Sequence, residues 1–320
     1  MNDAINKVRL GLFPTPLQKS SLGADLGDIC LYLKRDDLCG IGFGGNKVRK
    51  LEYILADAIA KGADCVVTGG GSRSNQTVAA AVCCAKAGLA AHIVMPENAP
   101  NVTRSLITLS GGILHTAPDG QTSTLAKTMR NIAKELRSQG QRPCIIPAGA
   151  SSPLGALGYV EAMEELWGQA AELGIAIDHV ICCGGTGNTY AGVALGAKLY
   201  SPQTRATVIS IGRRFAHKET LLRQIHETEA LLRLESGIDL EDLHIHFSCG
   251  RGAGAPSVRG WEAMERVAAA EGIFLDPYFT GKAFAGLMEL VQDGTLRPGE
   301  NVVFFHTGGM VSLIGQTIVK

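Results

Sequence analysis

Nowhere in the 320 residues does an apolar run reach the ~18 residues that a membrane-spanning helix needs. The opening segment, Met1 to Lys7, has no apolar stretch of the kind that begins a secretory signal. Charge of one sign does not dominate: Lys plus Arg and Asp plus Glu both number 30. No global field therefore draws the chain to nucleic acid or to an anionic membrane. Among nine cysteines there is no C-x-x-C, and two pairs, Cys83-Cys84 and Cys182-Cys183, are adjacent. An odd count arranged this way does not read as a disulfide framework. Most of these cysteines sit in apolar runs, where the thiol packs as a small hydrophobe. These absences lead to the expectation of a soluble protein of the reducing cytoplasm. Internal repeats, low-complexity tracts and polar linkers are missing as well.

What is present is a regular alternation. With 46% hydrophobic residues the chain can build a sizeable core, enough for two lobes. Short apolar runs predict strands over 65–69, 91–95, 112–117, 144–147, 179–183, 206–211, 243–248 and 301–306. Helical periodicity is read over 46–61, 75–88, 101–110, 121–139, 155–173, 188–199, 217–236, 257–271 and 281–293. Strands alternating with helices of this length give an α/β fold, with βαβ units and mostly parallel, helix-flanked sheets. Two lobes without a linker imply that one is inserted in the other. We expect a small inserted domain over 51–162 and a large domain made of 1–50 and 163–320. The 40 glycines cluster after strand ends, where backbone amides then approach a ligand without Cβ interference. Several such loops on one rim point to one shared ligand site.

Four constellations could carry chemistry. In Gly44-Gly45-Asn46-Lys47 a glycine turn enters a helix with lysine in its first turn. The helix dipole opposes positive charge there and favours the neutral amine, the form that condenses with an aldehyde. Lys50 and Arg49 are read as surface or phosphate-side charges. Gly184-Gly185-Thr186-Gly187-Asn188-Thr189 follows an apolar strand and opens a helix, the arrangement of an anion cradle. It is no dinucleotide fingerprint, because Tyr190 stands where G-x-G-x-x-G requires its third glycine, and no Gly-Lys-Ser/Thr follows as in a P-loop. Gly69-Gly70-Gly71-Ser72-Arg73-Ser74-Asn75-Gln76 likewise opens a helix. It fits a carboxylate site and equally fits simple capping. His306-Thr307-Gly308-Gly309 closes an apolar strand with a neutral hydroxyl.

Together and in this order, these segments resemble the fold-type II pyridoxal 5′-phosphate (PLP) enzymes related to the tryptophan synthase β-subunit. Within them the chain is most similar to the D-cysteine desulfhydrase and 1-aminocyclopropane-1-carboxylate deaminase family. The resemblance runs from Phe13-Pro14-Thr15-Pro16-Leu17 through Lys34-Arg35-Asp36-Asp37 and Gly45-Asn46-Lys47 to Asp276-Pro277, Gly281-Lys282 and His306-Thr307-Gly308-Gly309. It implies that Lys47 binds PLP and shuttles the α-proton. Gly185, Thr186, Gly187, Asn188 and Thr189 would hold the phosphate, Asn75 the ring's phenolate oxygen, and Thr307 would face the pyridine nitrogen. Ser74, with Asn75 and Gln76, would receive the substrate carboxylate or assist proton transfer. A neutral Thr307 makes a shallower electron sink than a carboxylate and favours expulsion of a β-leaving group. The implied activity is α,β-elimination on a small amino acid such as D-cysteine, by a homodimer.

The chain departs from that family at several positions. Ala253 and Phe279 stand where the relatives carry tyrosine, with Tyr278 one place early and Phe279 on the substrate side. Thr280 replaces a glutamate of the cyclopropane deaminases. Arg73 replaces a glutamine, and Arg213 and Arg214 follow a strand on the presumed rim. These arginines could bind a second anionic group, as in cysteate. L-Cysteate sulfo-lyase, cyclopropane deaminase, β-replacing synthase and racemase activities stay open on the same fold, as does a catalytically silent PLP binder. A nucleotide-binding oxidoreductase is disfavoured by the missing third glycine. His244-x-His246-x-x-Cys249 has metal-ligand types but no further ligand at metal spacing, so no metal is expected.

Overall fold

The fold is that of a computed structural model, which describes residues 5–212, 217–248, 250, 252 and 254–314. In chain order the strands are β1 (Leu17–Lys19), β2 (Cys30–Lys34), β3 (Cys65–Gly69), β4 (Ala90–Pro96), β5 (Ile113–Ala117), β6 (Pro143–Ile146), β7 (His179–Gly184), β8 (Arg205–Ser210), β9 (His244–Phe247) and β10 (Asn301–Phe305). The helices are α1 (Leu22–Asp25), α2 (Asn46–Ala60), α3 (Asn75–Lys86), α4 (Asn101–Leu109), α5 (Thr122–Ser138), α6 (Pro153–Leu173), α7 (Asn188–Tyr200), α8 (Lys218–Leu232), α9 (Val258–Glu271), α10 (Thr280–Gln292) and α11 (Met310–Leu313). None of the described helices is long and apolar enough to cross a membrane.

Two sheets organise these elements. The larger runs β1-β2-β10-β7-β8-β9 and the smaller runs β5-β4-β3-β6. Every ladder is parallel except β1 on β2. Parallel sheets need cover on both faces, which is why their central strands read as unbroken apolar runs. On one face of the larger sheet Val180, Cys182 and Val303 pack with Tyr159 and Val160 of α6 and Val193 of α7. On the other, Ile181, Ile209 and Phe304 meet Phe284 and Leu287 of α10 and Val267 of α9. The smaller sheet divides the same way: Val66 and Ile93 face α2 and α3, while Val67 and Val94 face Leu125 and Met129 of α5. Its four strands all come from residues 65–146.

The predicted strands and helices lie where the alternation puts them, with ends shifted by a residue or two, except that α8 stops at Leu232, four residues short of the expected end at 236. β1 and β2 lie outside the predicted set. The three residues of β1 are too few to show alternation. β2 ends in Lys34, a charge that is fully buried. Its Nζ donates to Thr15 O at 2.6 Å and Gln169 Oε1 at 2.6 Å, and is paired with Glu165. Those partners are distant in sequence, so the strand's tolerance of a lysine is a tertiary effect.

Arg49 and Lys50 are corrected from surface or phosphate-side charges to buried groups, 3% and 1% exposed. The Arg49 guanidinium donates to Asp36 (Nη2 to Oδ1, 2.8 Å) and to Glu165 (Nη1 to Oε2, 3.0 Å), while its carbon lies 4.2 Å from the Phe13 ring centroid. Tyr159 Oη also donates to Asp36 at 2.6 Å. One ionic cluster thus ties α2, α6 and the end of β2 together, with every charge hydrogen-bonded as burial demands.

Candidate active site

Loops after β3, β6, β7 and β10 converge with the start of α2, as the carboxyl ends of strands do in open α/β sheets. The turn before α2 requires glycine. Gly44 and Gly45 have φ of +66° and +102°, and a Cβ on Gly45 would sit 2.6 Å from Thr307 O. Asn46 N donates to that same Thr307 O at 3.1 Å, so the loop after β10 and the first turn of α2 are locked together. This fixes Lys47. Its Nζ donates to Asn46 Oδ1 at 2.9 Å, and Asn46 Nδ2 donates to Thr189 Oγ1 at 2.9 Å. Burial lowers the Lys47 ammonium to about 8, opposed by neighbouring Cys183. Desolvation therefore leads in making this amine easy to neutralise.

Beside Lys47 lies a cavity of about 260 Å³. From α2 and the β3 loop come Asn46, Lys47, Gly70, Gly71, Arg73, Ser74, Asn75 and Gln76. The β6 and β7 loops add Ala148, Gly149, Cys183, Gly185, Thr186, Gly187 and Thr189, and Ile211, Phe279, Thr307 and Gly308 complete the wall. The structure thus brings together Lys47, Ser74, Asn75, Gln76, Gly185, Thr186, Gly187, Thr189, Phe279 and Thr307 of the predicted site.

Asn188 is different in its side chain. Asn188 Oδ1 accepts from Lys50 Nζ at 3.0 Å and its Nδ2 donates to Ser152 O at 3.1 Å. The carboxamide joins α2, α6 and α7, so any part Asn188 takes in the cradle falls to its backbone amide. Gly187, with φ +83°, caps α7. The first-turn amides of α7 have no acceptor within the helix. Thr186 is braced from outside: Ser151 Oγ donates to its hydroxyl at 2.6 Å and Gln224 Nε2 to its carbonyl at 3.2 Å.

At the start of α3, Ser312 Oγ donates to Asn75 Oδ1 at 3.0 Å. This uses the carbonyl end of Asn75 and leaves the NH₂ as its donor. Gln76 is 1% exposed, yet neither its Nε2 nor its Oε1 has a partner. A buried carboxamide with both ends unpaired is costly, and a polar ligand in the adjoining cavity would relieve it. Unpaired donors, an open helix N-terminus and a readily neutralised lysine form a donor set that fits PLP with an amino acid. Sequence reasoning missed Ser151, Gln224 and Ser312, whose relation to the site is purely tertiary.

The departures from the family pattern take physical form here. Phe279 lines the cavity, whereas Tyr278 is buried beneath Arg73, whose guanidinium carbon is 5.0 Å from the tyrosine ring centroid. Thr280 Oγ1 donates to Asp276 Oδ1 at 2.8 Å, away from the cavity lining. Asp276 also accepts from the amides of Tyr278, Phe279 and Thr280 and so shapes the start of α10. Buried fully, its carboxyl is pushed up to about 6 despite those bonds. His306 accepts from Gly308 N through Nδ1 and reaches Phe274 O through Nε2, which sets a neutral tautomer with the proton on Nε2. Ala253, Arg213, Arg214 and Cys249 lie outside the described residues. His246 pairs with Glu289 and His244 contacts Arg205, so the two histidines have separate partners.

The family model for "Pyridoxal-phosphate dependent enzyme" matches residues 8–308. The chain belongs to this family of PLP-dependent enzymes. Over 308 residues it is 36% identical to a putative 1-aminocyclopropane-1-carboxylate deaminase of Pyrococcus abyssi, covering 94% of this chain and 92% of that protein. A D-cysteine desulfhydrase of Salmonella choleraesuis is 34% identical, with 94% and 93% covered. Among solved structures, an ACC deaminase homologue superposes with a TM-score of 0.87 at 34% identity, covering 97% of this chain and 93% of that one.

Proposed function

We propose that the protein catalyses PLP-dependent α,β-elimination on a small β-substituted amino acid such as D-cysteine. Water is consumed, and pyruvate, ammonia and the leaving group are released. The observation that carries this reading is the half-buried Lys47 amine, lowered by desolvation to about 8 and set in a cavity beside the unpaired Gln76 carboxamide. When bound, PLP supplies an electron sink for the pair released at the substrate α-carbon. Lys47 would hold the cofactor through its amine, and the same amine would move the α-proton. First-turn amides of α7, with Thr186 and Thr189, would hold the phosphate, where the helix dipole favours anions. Asn75, oriented by Ser312, would donate its NH₂ to the ring oxygen. Thr307 would offer the ring nitrogen a neutral hydroxyl, which would keep the sink shallow and favour prompt loss of a β-substituent. Ser74 and the first amides of α3 receive the substrate carboxylate.

Cyclopropane ring opening is supported by the names of relatives but less by the side chains. The wall at Phe279 offers a ring without a hydroxyl, and the Thr280 hydroxyl is engaged by Asp276. A panel of D- and L-cysteine, cysteate, serine, 2,3-diaminopropionate and the cyclopropane acid decides between them. We expect pyruvate from a β-substituted member and no 2-oxobutyrate from the cyclopropane acid. Lys47→Ala should lower the rate by about 10²–10⁴-fold, the usual contribution of a positioned acid–base group. No keto acid from any member of the panel would contradict the proposal.

A further inference from the structure

Among its described lining residues the cavity wall carries two basic side chains, Lys47 and Arg73, and no carboxylate. The proposed reaction gives Lys47 its task, and the α7 and α3 amides answer the cofactor phosphate and the substrate α-carboxylate. Arg73 is left over. Asp and Glu partners are held by Arg35, Arg49, Arg142, Arg223 and Arg259, and Arg73 is not among the paired arginines of the described residues. Nor is it free to swing into solvent without loss. Its guanidinium lies 5.0 Å from the Tyr278 ring centroid, and Tyr278 is 3% exposed, with its amide fixed by Asp276 Oδ2 at 3.0 Å. A rigid aromatic face thus holds the cation at the cavity, while the five in-plane N–H donors stay available to an oxyanion.

We propose that Arg73 is a specificity-determining residue that binds a second negative charge on the substrate. The preferred substrate is then a small amino acid whose β-substituent is itself anionic, such as a sulfonate. This rests on the reading of the cavity as the PLP and amino-acid site. The charge balance carries it. A substrate with a neutral side chain leaves the Arg73 charge uncompensated in a half-buried place, and an anionic β-substituent neutralises it with charge-assisted hydrogen bonds. Had the cavity a carboxylate of its own, that argument would fail. With a sulfonate, elimination consumes one water and yields pyruvate, ammonia and sulfite. The C–S pair leaves with sulfite, so no oxidant or reductant is needed.

The test uses the cofactor-loaded enzyme and reads binding from the cofactor's visible absorbance, so turnover is not required. Wild type, Arg73→Gln and Arg73→Lys are titrated with both enantiomers of aspartate against asparagine and of cysteate against serine. Wild type should bind the anionic member of each pair about tenfold or more tighter than its partner, the worth of one charge-assisted contact. Arg73→Gln should bring that ratio to within about twofold, and Arg73→Lys, which keeps the charge but not the fork, should fall between. A ratio near one in wild type, or one unchanged in Arg73→Gln, overturns the proposal. So does an equal loss for charged and neutral ligands, which would assign Arg73 to the α-carboxylate. Loss of the cofactor itself would assign it to the phosphate. An intact binding ratio without keto acid from any ligand would sink the elimination reading and leave this one standing.

Discussion

Lys47 and Lys50 lie one helical turn apart, the first half-buried and the second buried, and only Lys47 lines the cavity. Lys50 is spent on Asn188, and burial with the nearby Lys47 charge drives it well below the usual lysine range. Its lowered affinity for a proton makes it the natural competitor for the role given to Lys47, and geometry rather than pKa separates the two. The pH dependence of cofactor capture follows from Lys47. Only the neutral amine condenses with an aldehyde, so capture by apoenzyme should speed up as pH rises and level off above about 8. Stopped-flow absorbance of apoenzyme mixed with PLP reads this directly, and a rate independent of pH between 6 and 9 would contradict it. At this scale local glycine turns mark Lys47, Ser74, Asn75 and Thr307 in the sequence, and all four lie on one cavity wall. The sequence was silent on Ser312 and Gln224, and misleading on Arg49, because a charge buried by distant partners looks like any other charge.

The glycine turn ahead of α2 shows what an element contributes. Gly45 is the N-cap, at φ +102°, and its missing Cβ leaves room for Thr307 O. Gly45→Ala adds both a strained backbone and a contact with backbone that cannot swing aside. We expect it to cost about 1–3 kcal/mol of stability and to loosen the Asn46–Thr307 link that aims Lys47. Urea unfolding of apoenzyme and the cofactor affinity together check this. A variant with unchanged midpoint and unchanged affinity would show that the turn does not position the lysine. The periodic elements were legible because parallel strands covered on both faces leave continuous apolar runs. β2 was not, because Lys34 interrupts its run and is excused only by Glu165, Gln169 and Thr15 across the fold. The αL conformation of Gly187 and the brace from Gln224 belong to the same class: the sequence shows a glycine loop, and packing makes it a cradle.

At the level of the whole molecule, two mostly parallel sheets present their glycine loops to a common cavity, and the ionic cluster of Asp36, Arg49 and Glu165 fastens α2 against α6. The lysine-bearing helix is thereby anchored at both its first turn and its buried face. The order of the chain's segments made this architecture legible, since each glycine loop follows a strand and precedes a helix. The convergence of four loops on one amine could be inferred only from their shared rim. That amine is the centre of the site. Borohydride reduction of the purified, yellow holoenzyme, followed by proteolysis and mass spectrometry, tests it most directly. We predict the phosphopyridoxyl group on the peptide bearing Lys47, with Lys50 unmodified. A label on Lys50 or on any other lysine, or a protein that takes up no cofactor, would contradict it.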